Sequence, residues 1–257
     1  MSAFVKLRDT VRAIGLWNTC LFAASRVLHS LFGARIRILK YYFIAQPIDA
    51  YAGARRGSGS FSLTWIDAPT PLFSQIDRPS SVIAARFAQR ARCLAATVDG
   101  SRFAGFLWYT PGPYEEDEVR ARFWPKPDGA TVWDFDVSIL PQYRMGRLFM
   151  YLWSRAATEL AARGVTHSVS RVSAFNSPSL AAHQRLGARI VGKATFLCIG
   201  RWQLMRSTVS PRWHVSSRPE RRPTLEIHAA PPRATPRPNL APGDEIGHGA
   251  ASTRDPA

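Results

Sequence analysis

The stretch TVWDFDVSIL, Thr131 to Leu140, constrains the fold of this chain more than any other. Trp133, Phe135, Val137 and Ile139 alternate without interruption with Asp134, Asp136 and Ser138. A period of two puts the two sets on opposite faces of a strand and does not suit a helix. The period then changes. From about Arg147 to Arg163, residues Leu148, Leu152, Trp153, Ala156 and Leu160 recur at helical spacing, and Gly164 suits the helix end. A second strand follows, THSVSRVSAF, from Thr166 to Phe175.

Other elements flank this core unit. In CLAATVDGSRFAGFLWYT two apolar runs meet at Asp99-Gly100, a β-hairpin signature. FSLTWI reads as a strand, Pro79 to about Arg92 as a helix, and ATFLCIGRW as a final strand. FNSPSLAAHQRLGA, Phe175 to Ala188, holds a short helix, with Ser177 as N-cap, Pro178 in the first turn and Gly187 just past the end. YAGARRGSGS reads as a linker. The expected division is a basic amphipathic extension and linker over 1–59, an α/β domain over 60–206, and a disordered Pro/Arg-rich tail over 207–257.

Charge narrows the partners. Lys and Arg number 34 against 18 Asp and Glu, a net charge of +16, and Lys6, Lys40, Lys126 and Lys193 are the sole lysines. That arginine bias is typical of a GC-rich bacterial genome. A surplus of this size favours nucleic acid, membrane headgroups, nucleotide phosphates or an acidic carrier protein. The arginines are dispersed rather than set on a recognition helix or an aromatic-interleaved patch, which argues against nucleic acid. Cys20, Cys93 and Cys198 are scattered, which opposes a disulfide framework and a zinc cluster. The motifs HExxH, GxxxxGK[ST] and GxSxG do not occur.

Near the N-terminus, Trp17, Leu21, Ala24, Leu28 and Leu31 recur at helical spacing beside Arg8, Arg12, Arg26 and His29, up to Gly33. The apolar run Ala13 to Ser25 is too short to span a bilayer. Two readings stand: a helix lying in a headgroup layer, or one packed on its own domain. A signal peptide is opposed by Asp9, Asn18 and Thr19.

The order hairpin, strand, helix, strand, short helix, strand resembles the GCN5-related N-acetyltransferase superfamily. The resemblance covers roughly Phe61 to Trp202. One motif of that family runs Asn, two residues, a small residue, three residues, Tyr, three residues, Gly. Asn176, Ser179, His183 and Gly187 keep that spacing, with His183 in place of the tyrosine. The phosphate motif runs Gln or Arg, two residues, Gly, one residue, Gly or Ala. Here PQYRMGRLF supplies Arg144, Gly146 and Arg147, with Gly146 one place displaced and Phe149 at a small-residue position.

The resemblance implies a mixed twisted sheet with a splayed parallel strand pair, flanked by helices. It implies transfer of an acetyl or longer acyl group from acetyl-CoA, or another acyl-CoA, to a primary amine, without a metal. Val137, Ile139 and Asn176 would meet the pantetheine arm. Arg144, Gly146, Arg147 and Ser179 would surround the pyrophosphate at a helix N-terminus. His183 would protonate the departing thiolate, since imidazole titrates near about 6.5 and a thiol near about 8.5. Asp134 and Asp136 would serve as general base, and Glu115, Glu116, Asp117 and Glu118 would hold a cationic acceptor.

The basic surface and N-terminal helix place such an enzyme in the cytoplasm or at the inner membrane face. Its acceptor would then be a small-molecule or lipid-linked amine, with an acyl-carrier protein as a second possible donor. The competing reading is a non-catalytic protein of the same fold that binds a membrane or another anionic partner.

Overall fold

The computed structural model describes residues 3–51, 61–144 and 147–229. Two helices, α1 (Ala3–Ile14) and α2 (Leu16–Phe32), precede β1 (Ile36–Pro47). Then come β2 (Phe61–Ile66), α3 (Ser80–Ala88), β3 (Arg92–Val98), β4 (Arg102–Thr110), β5 (Tyr114–Glu115) and β6 (Arg122–Lys126). The central unit is β7 (Thr131–Ile139), α4 (Leu148–Ala162), β8 (His167–Ser173) and α5 (Ser177–Arg185). The chain continues through β9 (Arg189–Ile199), β10 (Trp202–Ser207), β11 (Trp213–Ser216) and β12 (Thr224–His228).

Nine strands form one mixed sheet in the order β11-β10-β9-β1-β8-β7-β4-β3-β2, and β12-β6-β5 form a smaller one. The expected hairpin is β3–β4: Val98 pairs with Arg102, and in the connection between them Asp99 (φ 53°) and Gly100 (φ 72°) both take the left-handed conformation. On one face of the large sheet, Tyr41, Phe43, Trp108, Trp133 and Phe196 pack with Phe123, Leu225 and Ile227 of the smaller sheet. On the other, Leu148, Leu152, Trp153, Ala156 and Leu160 of α4 cover Leu94, Leu107, Tyr109 and Val132, the stripe that helical spacing predicts. No helix among the described residues is long and apolar enough to cross a membrane.

Several expectations need correction. The segment assigned to an N-terminal extension contains β1, which lies between β8 and β9 and pairs antiparallel with both. A strand buried on both faces shows no alternation, so IRILKYYFIA, carrying Arg37 and Lys40, reads poorly as a strand. The helical run before it is two helices, broken at Gly15 (φ 81°). The single final strand is a hairpin: β9 begins earlier, at Arg189, and turns at Gly200 into β10. The tail expected to be disordered from 207 contains β11, paired with β10, and β12, which runs parallel to β6. Leu225 and Ile227 of β12 are fully buried. Nine prolines spread over the tail mask two short strands when composition is averaged across it. All of the expected linker Tyr51–Ser60 after Tyr51, and residues 230–257, lie outside the described residues.

The strict alternation of β7 is also interrupted. Phe106 pairs with Ser138 and Trp108 with Phe135, so Asp136 and Val137 together oppose Leu107. This is a β-bulge, and Asp136 takes φ 49° there. The extra residue switches faces. Trp133 and Phe135 stay in the core under the small sheet, whereas Val137 and Ile139 join the α4 side. Gly105 of β4 permits the close approach: a Cβ there would sit 2.7 Å from Ile139 Cδ1 and 2.8 Å from the Ser138 carbonyl oxygen. Beyond the bulge, β7 and β8 part. Their parallel ladder covers Thr131–His167, Val132–Ser168 and Trp133–Val169 and goes no further.

Candidate active site

The parting of β7 and β8 leaves a cleft of about 710 Å3. Its walls come from Asp134 to Val137 of β7, Ser170 to Val172 of β8, and Ser179 and His183 of α5. Val82 and Arg86 of α3, Arg78 before it, and Tyr114 with Glu116 to Glu118 close the other side. The structure therefore brings Asp134, Asp136, Val137, Glu116, Asp117, Glu118, Ser179 and His183 to one cavity. Glu115 is not on its wall; that carboxylate receives Arg122 and Arg222.

Five carboxyl groups and three guanidiniums line the cleft, and pairing decides their roles. Asp136 takes a two-pronged contact from Arg78, Nε to Oδ2 at 3.0 Å and Nη2 to Oδ1 at 2.9 Å, plus Arg86 Nη1 at 2.6 Å. Asp136 is thus held by two guanidiniums through three charge-assisted contacts, unlike Asp134, the other member of the expected pair. Glu116, almost wholly buried, receives both prongs of Arg171 at 2.8 Å. Glu118 takes the Tyr41 hydroxyl at 2.7 Å and Arg171 at 2.9 Å, and Asp117 lies 3.5 Å from Arg86. The expected acceptor-binding cluster is thus structural in large part: its charges align Arg86 and Arg171.

Asp134 differs. It is 4% exposed and, among the described residues, has no Lys or Arg partner. Ser168 Oγ donates to its Oδ2, and Ser170 also hydrogen-bonds it. Burial pushes this carboxyl up to about 7, against the opposing pull of the two serine hydroxyls. It can gain or lose a proton near neutrality.

His183 lies across the cleft on α5. Its Nδ1 is 3.0 Å from Gln46 Oε1, and the Gln46 amide nitrogen donates to the Leu186 carbonyl at 3.4 Å. That orientation presents the amide oxygen to the ring, so Nδ1 carries the hydrogen and Nε2 of the neutral ring is the acceptor. Burial lowers the His183 pKa. The neutral imidazole therefore dominates at pH 7, and His183 must collect a proton before it can donate one.

Asn176 proves to be the N-cap of α5, accepting from the Ser179 amide at 3.2 Å. The cap expected at Ser177 is displaced by one residue, and Ser177 and Pro178 form the first turn. Gly187, at φ 84°, follows the helix as expected. At the other helix, α4 starts at Leu148 without a side-chain cap, and its first backbone bond runs from the Tyr151 amide to the Arg147 carbonyl. Arg144 is tied down through Nε to the Ile139 carbonyl at 2.9 Å, while Arg147 is exposed. Phe149 turns toward Trp153, with ring centroids 6.5 Å apart. Gly146 lies outside the described residues.

Ser168, Ser170, Arg78, Arg86, Arg171 and Gln46 were not foreseen. Ser168 and Ser170 left a trace, because they flank Val169 two positions apart on the second strand. Gln46 and the arginines carry no local signal.

No family profile matches the sequence, and neither does any curated protein. Similar solved structures include a tandem GNAT protein from the clavulanic acid biosynthesis pathway, 13% identical, with a TM-score of 0.47, covering 71% of this chain and 57% of that one. A GNAT-family protein from Novosphingobium aromaticivorans is 15% identical, with a TM-score of 0.41 and coverages of 63% and 66%. A GCN5-related N-acetyltransferase from Kribbella flavida is 13% identical, with a TM-score of 0.38 and coverages of 64% and 60%. The chain spans little more than half the length of the tandem protein. The assignment of fold comes from the chain's own topology: a bulged strand, a parallel partner that diverges after three residue pairs, a crossover helix with an open N-terminus, and an Asn-capped helix closing the cleft. With these features in this order, the chain has a mixed twisted sheet with a splayed parallel strand pair flanked by helices, the fold that the resemblance to the GCN5-related N-acetyltransferase superfamily implied.

Proposed function

We propose that the β7–β8 cleft transfers an acyl group from acyl-CoA to a primary amine, with Asp134 as general base. The observation that carries this reading is the position of Asp134: a carboxyl at the splay, buried, without a cation partner among the described residues and pushed up to about 7. The remaining residues fit an acyl-CoA. Beyond Trp133 the β8-facing edge of β7 has left the ladder, so backbone groups from Asp134 to Ile139 are open to pantetheine amides. The open amides at the start of α4, with Arg147 beside them, suit a pyrophosphate.

The acceptor arrives as an ammonium ion, drawn by a cleft in which carboxyl groups outnumber guanidiniums. Asp134 takes one proton. The freed lone pair attacks the thioester carbonyl, a C–N bond forms, and a backbone N–H of β7 receives the oxyanion. The C–S bond then breaks. Neutral His183 takes the second proton from the tetrahedral nitrogen and passes it to sulfur, so that amide and CoA thiol leave. This role replaces the expected one, in which His183 begins as the acid.

The test is CoA release from acetyl-CoA over a panel of primary amines, with Asp134→Asn and His183→Ala. General base catalysis predicts a loss of about 10²–10⁴-fold for Asp134→Asn. Full activity in the folded Asn variant would remove Asp134 from the reaction.

A further inference from the structure

On the far side of β8 from the cleft, β1, β9, β10 and β11 lay one register row across the sheet: Lys40 beside Thr195, Thr195 beside Arg206, Arg206 beside Trp213. Lys193, paired with Tyr42, stands in the next row. With Arg212 and Trp17 of α2 they enclose a second cavity of about 700 Å3. Four of its lining residues are cations and none is a carboxylate. Two of the chain's four lysines meet here.

The cations are uncompensated. Lys40 is 7% exposed, and its ammonium has one acceptor among the described residues, the Asn18 Oδ1 at 2.7 Å. Asn18 is itself used up, donating to the Ile14 carbonyl and the Tyr42 hydroxyl. Lys193, Arg206 and Arg212 have no ion pair among the described residues; the Arg206 guanidinium lies over the Trp213 ring. Burial and the nearby Lys193 charge both lower the Lys40 pKa, so an anion between them would relieve both effects. Lys40 is the buried one of the four, and an uncompensated buried charge is destabilising until a counter-charge meets it; the exposed Lys193, Arg206 and Arg212 add positive charge around it.

The surroundings say what carries that anion. The neighbouring rows of the same face are apolar and bare: Ile199 beside Trp202, and Leu204 beside Val215, with Trp17 and Trp213 at the cavity mouth. Trp17 is 69% exposed, Trp213 59% and Trp202 51%. Tryptophan beside cations suits the headgroup level of a bilayer, where the ring spans the apolar and wet layers. A second copy of this face would bring the same cations and be repelled. A soluble phosphate would leave the apolar rows uncovered.

We infer that this cavity binds the phosphate of an anionic phospholipid, with the apolar face of β9–β11 and Trp17 seated in the headgroup layer. The site is distinct from the acyl-transfer cleft and does not depend on its chemistry. It also extends the sequence-based view of membrane contact, because the sheet face and the cavity add cations and apolar side chains to those that α2 exposes, Leu16, Trp17, Phe22, Val27, Leu31 and Phe32.

The full chain is tested by flotation with phosphatidylcholine vesicles, with and without phosphatidylglycerol, and by titration with inorganic phosphate. The variants are Lys193→Gln/Arg212→Gln and Trp213→Ala; all three side chains are exposed, so the fold should survive and is checked by circular dichroism. The expected result is capture that requires phosphatidylglycerol and weakens roughly thirtyfold in the double Gln variant, from two cations lost near the surface. Trp213→Ala should weaken capture while leaving the response to inorganic phosphate unchanged. Equal capture of the wild type and the double variant would overturn the site. Saturable binding of inorganic phosphate without vesicle capture would overturn the lipid assignment, and so would capture by phosphatidylcholine alone.

Discussion

Asp134→Asn removes an ionisation that the folded chain supports at a cost, so the change should stabilise the protein while it stops the chemistry. The Asp134 carboxyl moves from 3.8 to about 7 on folding because it is buried without a cation. Between those values the folded state retains a proton that the unfolded state has lost. Stability therefore falls as pH rises from about 4 to about 7 and levels off above that. Roughly three pH units at about 1.4 kcal/mol each give about 4 kcal/mol. The Asn variant lacks this term. Its amide can still accept from Ser168 and Ser170, so any change in hydrogen bonding should be an offset that does not vary with pH. Urea denaturation of both proteins across this pH range isolates the effect, since every other titrating group cancels in the difference. The variant should gain about 4 kcal/mol on the wild type between about pH 4 and about pH 8. A difference that stays constant over that range would show that Asp134 is not held neutral by burial, and the argument for it as base would fail.

Other expected outcomes follow from the same geometry. The pH profile of kcat/KM should rise through about 7 as Asp134 ionises, and that limb should vanish in the residual activity of Asp134→Asn, measured with one acceptor amine. Arg86→Ala exposes Asp136 and Asp117 to each other beneath a side chain 5% exposed, and should cost about 3 to 5 kcal/mol in denaturant titration. Gly105→Ala drives a Cβ into Ile139 and the Ser138 carbonyl and should cost about 1 to 3 kcal/mol, read as a lower Tm. Leu225→Ala should cost about 2 to 5 kcal/mol, which a disordered tail would not show.

Sequence alone reached the elements whose signals are local. The β3–β4 turn follows from Asp99-Gly100, α4 from its apolar period, and α5 from Ser177, Pro178 and Gly187, with the cap one residue earlier than expected. The spacing from Asn176 to His183 and the paired aspartates contain four of the sixteen residues that line the cleft: Ser179, His183, Asp134 and Asp136. What escaped depends on distant partners. β1 is a strand because β8 and β9 pair with both of its edges, and β12 because β6 offers an edge. The bulge at Asp136 is invisible in a perfectly alternating sequence, because only the register against β4 reveals the extra residue. The same holds for charge. Asp134 and Asp136 look equivalent two positions apart, yet arginines 58 and 50 residues away claim one, and serines claim the other.

Calorimetric titration of acetyl-CoA into the wild-type chain and into Arg147→Glu tests the central claim most directly, since it asks whether the splayed cleft and the open start of α4 hold the donor. The account predicts saturable binding to the wild type, and weaker binding to the variant, whose new carboxylate opposes the pyrophosphate at an exposed position that does not disturb the fold. Failure of the folded wild type to bind acetyl-CoA or a long-chain acyl-CoA would contradict it, and so would equal affinity in the two proteins.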